Sequence, residues 1–302
     1  MLVECVPNFS EGRRISLVDS IADSIESVDG VWLLDRHSSW AHNRSVITFA
    51  GGREAVAEAA FRGAQRAARL INMRQHQGSH PRMGATDVVP FVPLGETPMA
   101  VCIELANEVG QRIGSELGIP VYLYAEAARA PERRWLPHVR HGEFEAISAE
   151  IGVLSERLPD FGPRQLGPAG ATAVGARTVL IAFNVNLATG NLEIARTIAR
   201  LVRQSSGGLP AVQARGMSTE NPEVVQVSTN LLDYHVTPLH LLFERVAELA
   251  AERGVDVVDS EVVGLLPTEA LTMAAGKELR IPHFGPGAVL EQRLLEAVLR
   301  GE

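Results

Sequence analysis

Val31-Trp32-Leu33-Leu34 is followed by the polar run 35–44 and then by Ser45-Val46-Ile47-Thr48-Phe49. Both quoted segments are rich in apolar, β-branched and aromatic residues, so they read as two strands in direct succession with a polar connection between them. Their neighbours place the pair. Upstream, Ile15, Val18, Ile21 and Ile25 recur at helical spacing, and residues 3–7 read as a short strand. Downstream, Gly51 and Gly52 open an alanine-rich helix over 55–70, and residues 87–92 form a further strand. Strand, helix, strand, strand, helix, strand is the split βαβ order of ferredoxin-like folds. A helix over 99–117 and a strand over 121–124 extend this half.

The second half repeats that order, with a strand over 178–186, a helix over 192–203, strands over 211–215 and 224–230, a helix over 238–253 and a strand over 255–258. No residue-level repeat accompanies it, so the duplication is one of architecture. Residues 159–170, dense in Pro and Gly, read as an ordered loop between the halves. The expectation is an α+β protein of two ferredoxin-like lobes, residues 1–171 and 172–302, and a seam between lobes is a common place for a small-molecule cleft.

Composition narrows the function. With 302 residues, 46% hydrophobic and 21% charged, the chain is an ordinary globular one. No apolar run approaches the roughly 18 residues of a membrane span, and residues 179–187 are interrupted by Asn184 and Asn186, so no membrane partner is expected. The N-terminus lacks the pattern of a secretory signal, which points to the cytoplasm. A net charge of −8 disfavours nucleic acid as a partner. Cys5 and Cys102 lie in apolar settings typical of buried free thiols. Lys277 is the sole lysine and sits in no phosphate-loop context, which removes Schiff-base and P-loop chemistry.

The candidate chemistry centres on Gly78-Ser79-His80-Pro81-Arg82-Met83-Gly84-Ala85-Thr86-Asp87. Pro81 biases His80 towards an extended backbone, the glycines let a ligand approach the chain, and a histidine so held suits general acid–base work. The alternative is a structural histidine in a tight loop. A second cluster, Asp35-Arg36-His37 with His42-Asn43-Arg44-Ser45, holds a guanidinium fork for a carboxylate at Arg44 and an anion at Asp35 able to hold a cation or orient an imidazole; a solvated hairpin loop is the bland reading. His76 and His80 have helix-face spacing, but Gly78 between them and Pro81 after them argue against a helical zinc pair, so no metal is expected. His138, His141, His235, His240 and His283 have no context beyond surface or core roles. On the second half, Asn184 with Asn186 and Ser228 with Asn230 alternate along strands, either lining a cleft or pairing with one another.

Several segments, in order, resemble the formiminotransferase domain: Val3-Glu4-Cys5-Val6-Pro7-Asn8-Phe9-Ser10-Glu11-Gly12, His80-Pro81-Arg82-Met83-Gly84-Ala85, Val121-Tyr122-Leu123-Tyr124, Asp160-Phe161-Gly162-Pro163, Gly175-Ala176-Arg177 with Ala182-Phe183-Asn184, and Gln226-Val227-Ser228-Thr229-Asn230-Leu231. The resemblance spans nearly the whole chain. In animals that domain is fused to a cyclodeaminase, and this chain looks like a free-standing microbial form.

The resemblance implies two ferredoxin-like lobes with helices outside and sheets facing a central cleft, usually in a homodimer. It implies transfer of the formimino group from N-formimino-L-glutamate to the co-substrate tetrahydrofolate, late in histidine degradation. His80 matches the catalytic histidine. Asp160, Gly162, Pro163, Arg164, Gln165, Leu166, Gly167, Pro168, Ala169 and Gly170 match the folate-binding stretch. Since a formimino group is cationic at neutral pH, Asp35 or Asp87 is expected to stabilise it, and Arg44 and Arg82 to hold the carboxylates of glutamate or of the folate tail; Asn184 is expected at the substrate. Ser79 and His37 stand where family members often carry acids, which leaves open what orients His80. The competing readings are a tetrahydrofolate-dependent glutamate formyltransferase and a non-catalytic folate-binding protein.

Overall fold

The computed structural model describes residues 1–278 together with 281, 285–290, 292 and 295; His283 lies outside the described residues. They form an α+β protein with two sheets, dividing into compact units at Arg177 and Thr178.

In the first unit, β1 (Leu2–Cys5) and β2 (Asn8–Phe9) are one strand interrupted at Pro7, which has no N–H for the ladder. They are followed by α1 (Ile15–Glu26), β3 (Val31–Ser39), β4 (Arg44–Gly52), α2 (Arg53–Leu70), β5 (Thr86–Leu94), α3 (Met99–Glu116), β6 (Val121–Ala125), the short helices α4 (Leu136–Val139) and α5 (Glu143–Glu150), and β7 (Thr172–Ala176). Both β1 and β2 lie between antiparallel partners β4 and β5, β3 flanks β4, and β7 and β6 extend the far side in parallel. Val3, Cys5, Phe9, Ile47, Phe49, Val89 and Phe91 are fully buried with Val18, Ile21 and Ile25 of α1 and Leu105, Val109 and Ile113 of α3. Each such aliphatic or aromatic side chain contributes about 1.5–3 kcal/mol. The alanines of α2 keep that helix thin enough to pack on both α1 and α3.

The second unit comprises β8 (Ile181–Leu187), α6 (Leu192–Val202), β9 (Val212–Ser218), β10 (Val225–Leu231), α7 (Leu239–Ala251), β11 (Val257–Val263) and α8 (Thr268–Glu278). Its sheet runs β11-β8-β10-β9, antiparallel throughout, over a core that includes Ile181, Val185, Ile198, Val227 and Leu242. Asn191 caps α6 by accepting from the Glu193 N–H at 3.1 Å.

Three differences from the sequence reading have physical causes. The polar run 35–44 is not all connection: β3 continues to Ser39, because an edge strand tolerates polar side chains, and the turn is confined to 40–43. The last strand extends to Val263 rather than stopping at 258, its Asp259 and Glu261 pairing opposite Asn186 and Asn184. The units divide beyond Ala171 because the unforeseen β7, made of small residues, completes the first sheet between β5 and β6. Among the described residues no helix is long and apolar enough to cross a membrane. Cys5 and Cys102 are free and buried.

Candidate active site

The His80 loop is held by interlocking backbone bonds. Ala85 N–H donates to Ala169 O at 2.8 Å, Ala171 N–H to Met83 O at 3.0 Å and Ser10 N–H to Ala85 O at 2.9 Å. Ser10 Oγ donates to Gly84 O at 2.7 Å. Gly84 bridges Gly170 so closely that a Cβ on Gly84 would lie 1.9 Å from Ala171 O, and Gly170 itself has φ +72°. Only glycine satisfies both positions without displacing the backbone. The loop therefore stacks on the stretch that the resemblance assigns to folate.

The turn 40–43 supplies the other wall. Asn43, at φ +48°, accepts from Gly12 N–H at 3.1 Å and donates to Gln77 O at 2.9 Å, tying three loops together. His76 Nε2 bonds Asn43 O at 3.0 Å. Ser10, His42, Asn43, Arg44, His76, His80, Arg82 and Asp87 line a small, tightly closed depression.

His80 has its tautomer set by its neighbours. Its Nδ1 lies 2.7 Å from the carbonyl of Pro81, which can only accept, so Nδ1 carries the hydrogen. Nε2 then presents its lone pair to Arg44 Nη1 at 2.9 Å. Burial first, then the Arg44 and Arg140 cations, push His80 down to about 2, against the pull of the Pro81 bond. The imidazole is neutral at any ordinary pH. His42 meets the His80 ring edge-on with centroids 5.9 Å apart and bonds Ser39 Oγ through Nδ1 at 3.0 Å.

Asp87 is nearly inaccessible; it accepts from Met83 N–H at 2.8 Å and forms an ion pair with Arg140. Arg44 is pushed down to about 10 by burial and by Arg140, with Asp87 opposing, so it remains a cation at neutral pH. Arg82 is committed elsewhere: it donates to Glu143 at 2.7 Å and to Glu145 at 2.8 and 2.6 Å, pinning the start of α5 to the loop. These bonds, Glu145 foremost, raise it above the ordinary arginine value. Asp35 sits half-buried on β3 opposite Thr48, outside the lining of the depression, with no hydrogen bond or ion pair among the described residues.

In the folate stretch, Asp160 faces inward. Its carboxylate, 7% exposed, accepts from Leu123 N–H at 2.7 Å and Arg133 Nη1 at 2.8 Å. Gly162, Pro163, Arg164 and Gln165 are exposed, Leu166 is buried, and residues 167–170 pack under the His80 loop through Ala169 O and the Gly84–Gly170 bridge, with Pro168 O accepting from Met73 N–H just upstream. Arg164 has no ion-pair partner among the described residues. In the second unit, Asn184 Nδ2 donates to Glu261 at 2.9 Å and its Oδ1 accepts from Thr229 N–H at 3.3 Å; Asn186 donates to Asp259 at 2.6 Å. The partners of this polar face are Glu261, Asp259, Gln226 and the Thr229 N–H, so among the described residues Asn184 and Asn186 pair with neighbouring strands but not with the Ser228 or Asn230 side chains. Among the described residues no group of three or more His, Cys, Asp or Glu side chains is placed to hold a metal ion.

Arg140, Glu143 and Glu145 were missed by sequence reasoning. Their one signal was indirect: a buried Asp87 and a loop Arg82 each need a partner of opposite charge, but nothing local says which.

A neutral histidine here presents one lone pair amid arginines on a two-sheet α+β scaffold, an arrangement with the chemistry to move a proton. Residues 2–177 match the formiminotransferase domain, N-terminal subdomain, and residues 182–280 match the formiminotransferase domain. The chain belongs to the formiminotransferase family. It is 47% identical to the glutamate formimidoyltransferase of Thermoplasma acidophilum, covering 98% of each chain. It is 43% identical to that of Streptococcus pyogenes serotype M1, covering 97% of this chain and 99% of the relative. Against the formimidoyltransferase-cyclodeaminase of Rattus norvegicus it is 45% identical, over 91% of this chain and 52% of the relative.

Proposed function

We propose that the protein is a glutamate formimidoyltransferase that moves the formimino group from N-formimino-L-glutamate to tetrahydrofolate in histidine degradation. The observation that supports this most directly is the neutral His80, with Nδ1–H fixed on Pro81 and Nε2 directed at the arginine-lined depression. His80 Nε2 takes the proton from the attacking pteridine nitrogen as that nitrogen bonds the formimino carbon. It returns the proton to the glutamate nitrogen as the carbon–nitrogen bond breaks, so one residue is base and then acid.

The formimino group is a cation, and its recognition calls for a carboxylate. Asp87 lines the depression beside His80 while Asp35 lies outside it, which favours Asp87 for that role even though it also holds Arg140 and the Met83 N–H. The stretch 162–170 fits the co-substrate: its exposed backbone at Gly162 and Pro163 allows close approach, and the exposed Arg164 suits the acidic tail of a folate. Asp160 supports this stretch through Arg133 and Leu123 rather than by contact with the ligand. Both units are read as split βαβ lobes; in the second, helix connections after β8 and β10 with strand order β11-β8-β10-β9 support that reading.

The test is release of glutamate from N-formimino-L-glutamate by purified protein, with and without tetrahydrofolate and with N-formyl-L-glutamate as control. Folate-dependent release from the formimino compound is expected; release from the formyl compound alone overturns the assignment. His80→Ala is expected to lower turnover at least about 10²-fold with near-normal folate affinity. Unchanged turnover in that variant removes the acid–base role.

A further inference from the structure

His80 has a single lone pair free for catalysis, and Arg44 Nη1 occupies it at 2.9 Å. A base capped by a cation cannot accept a proton until the cap moves. The surroundings show what moves it. Arg44 Nε, Arg82 Nε and Arg140 Nε are buried and have no hydrogen-bond partner among the described residues, but Arg82 already has two carboxylates on its other nitrogens. The two guanidinium groups interact with one carboxylate between them, Asp87, of which one oxygen is already on the Met83 N–H. The group of Arg44, Arg140 and Asp87 therefore carries a net positive charge in a place with little water to solvate it.

The neighbouring charged groups do not supply the balance. Glu143 and Glu145 hold Arg82, and Glu11 holds Arg14 while accepting from the N–H groups of Arg13 and Arg14. His42 and His76 face the depression; both lie below the ordinary histidine value, burial being the first cause for each, and so are neutral near pH 7.

Resting on the transferase reading above, we infer that Arg140 and Arg44 together receive one carboxylate of the substrate glutamate moiety, and that this anion draws Arg44 off Nε2 of His80. Arg140 is thus a substrate-binding residue, and Arg44 couples substrate binding to release of the base. No proton is transferred in the exchange: Arg44 keeps its charge, one hydrogen bond to nitrogen is replaced by bonds to carboxylate oxygens, and Nε2 is left facing the substrate. Charge-assisted bidentate bonds to a carboxylate are stronger than a guanidinium–imidazole bond, which gives the exchange its direction. The anion also cancels the cations that keep the imidazole from protonating, so the base strengthens when substrate is present.

The experiment is ¹⁵N NMR of the full chain with labelled histidine, titrated with L-glutamate alone. In the free protein, His80 is expected to remain in the Nδ1–H form without titrating between pH 5 and 8. With saturating glutamate its Nε2 signal is expected to move as the Arg44 bond is lost. Arg140→Gln is expected to weaken glutamate binding at least about 10-fold and to abolish the His80 response; Arg140→Lys restores part of the affinity. Arg44→Gln is expected to shift the His80 Nε2 signal in the absence of glutamate and to blunt its response to it. If Arg140→Gln fails to fold, the wild-type titration decides alone. A His80 signal indifferent to glutamate, in a protein that still shows folate-dependent formimino transfer, overturns this inference and leaves the transferase assignment standing. Absence of transfer in the wild type is the result that removes the assignment itself.

Discussion

His80, Asp160 and Arg82 illustrate how a residue's role depends on what its side chain already holds. His80 is neutral because burial and two arginines oppose its charge, and one carbonyl selects its tautomer. Arg82, two residues along the chain, is balanced by two glutamates and so is poorly placed to bind a substrate anion, whereas no carboxylate among the described residues is bonded to the Arg44 side chain. Asp160 was expected to contact folate, yet its carboxylate is paired with Arg133 and the Leu123 N–H at the root of the stretch. Removing one member of a buried pair strands the other, so Asp160→Ala is expected to destabilise the protein by about 3–5 kcal/mol in urea unfolding. A variant of unchanged stability but weakened folate binding would instead make Asp160 a ligand contact.

At the scale of elements, the site is made by loop ends rather than by any one helix or strand. The turn between β3 and β4 carries His42 and Asn43, the first residue of β4 is Arg44, the loop before β5 carries His80, and the segment between α4 and α5 carries Arg140. The interlock through Asn43 and the Gly84–Gly170 bridge is what holds these ends in register. Helices elsewhere depend on local chemistry. Asn191 caps α6 by its own side chain, outside the loops that line the depression, and Asn191→Ala is expected to cost about 1 kcal/mol while leaving turnover per folded molecule unchanged. Parallel unfolding and kinetic measurements on that variant check both halves of the statement.

For the whole molecule, buried histidines set a pH dependence. His80 lies at about 2 against an ordinary value of 6.5, and His42 and His76 are also lowered. Between the two values the unfolded chain binds more protons than the native one, so stability rises with pH. The contribution is fully present above about pH 6.5 and is lost progressively as pH falls below it. Glu4, raised by burial, works in the opposite direction near its own ordinary value of 4.5. The urea midpoint is expected to fall as pH is lowered from 7.5 to 5, and less steeply in His80→Asn; a midpoint independent of pH over that range would refute the burial of neutral imidazoles.

Much of this was legible in the chain. The helices α1, α2, α6 and α7 announce themselves by apolar spacing, and β4, β5, β8 and β10 by runs of β-branched and aromatic residues, because those periodicities report the solvent contrast across each element. The punctuated loop around His80 was visible for a related reason: Gly and Pro mark where the backbone must adopt special paths. The family motifs carry those same constraints. What stayed hidden was β7, whose small residues show no period, and the polar half of β3, because pairing to β4 overrides composition. Hidden too was the pairing of charges. Asp87 meets Arg140, Arg82 meets Glu143 and Glu145, and Arg44 meets His80 across long separations in the chain. The sequence by itself determined most of the secondary elements and the family, since both are written in local residue order. Only the tertiary structure decided which arginines are neutralised and which can receive an anion, because electrostatic partners are chosen by distance and burial in space.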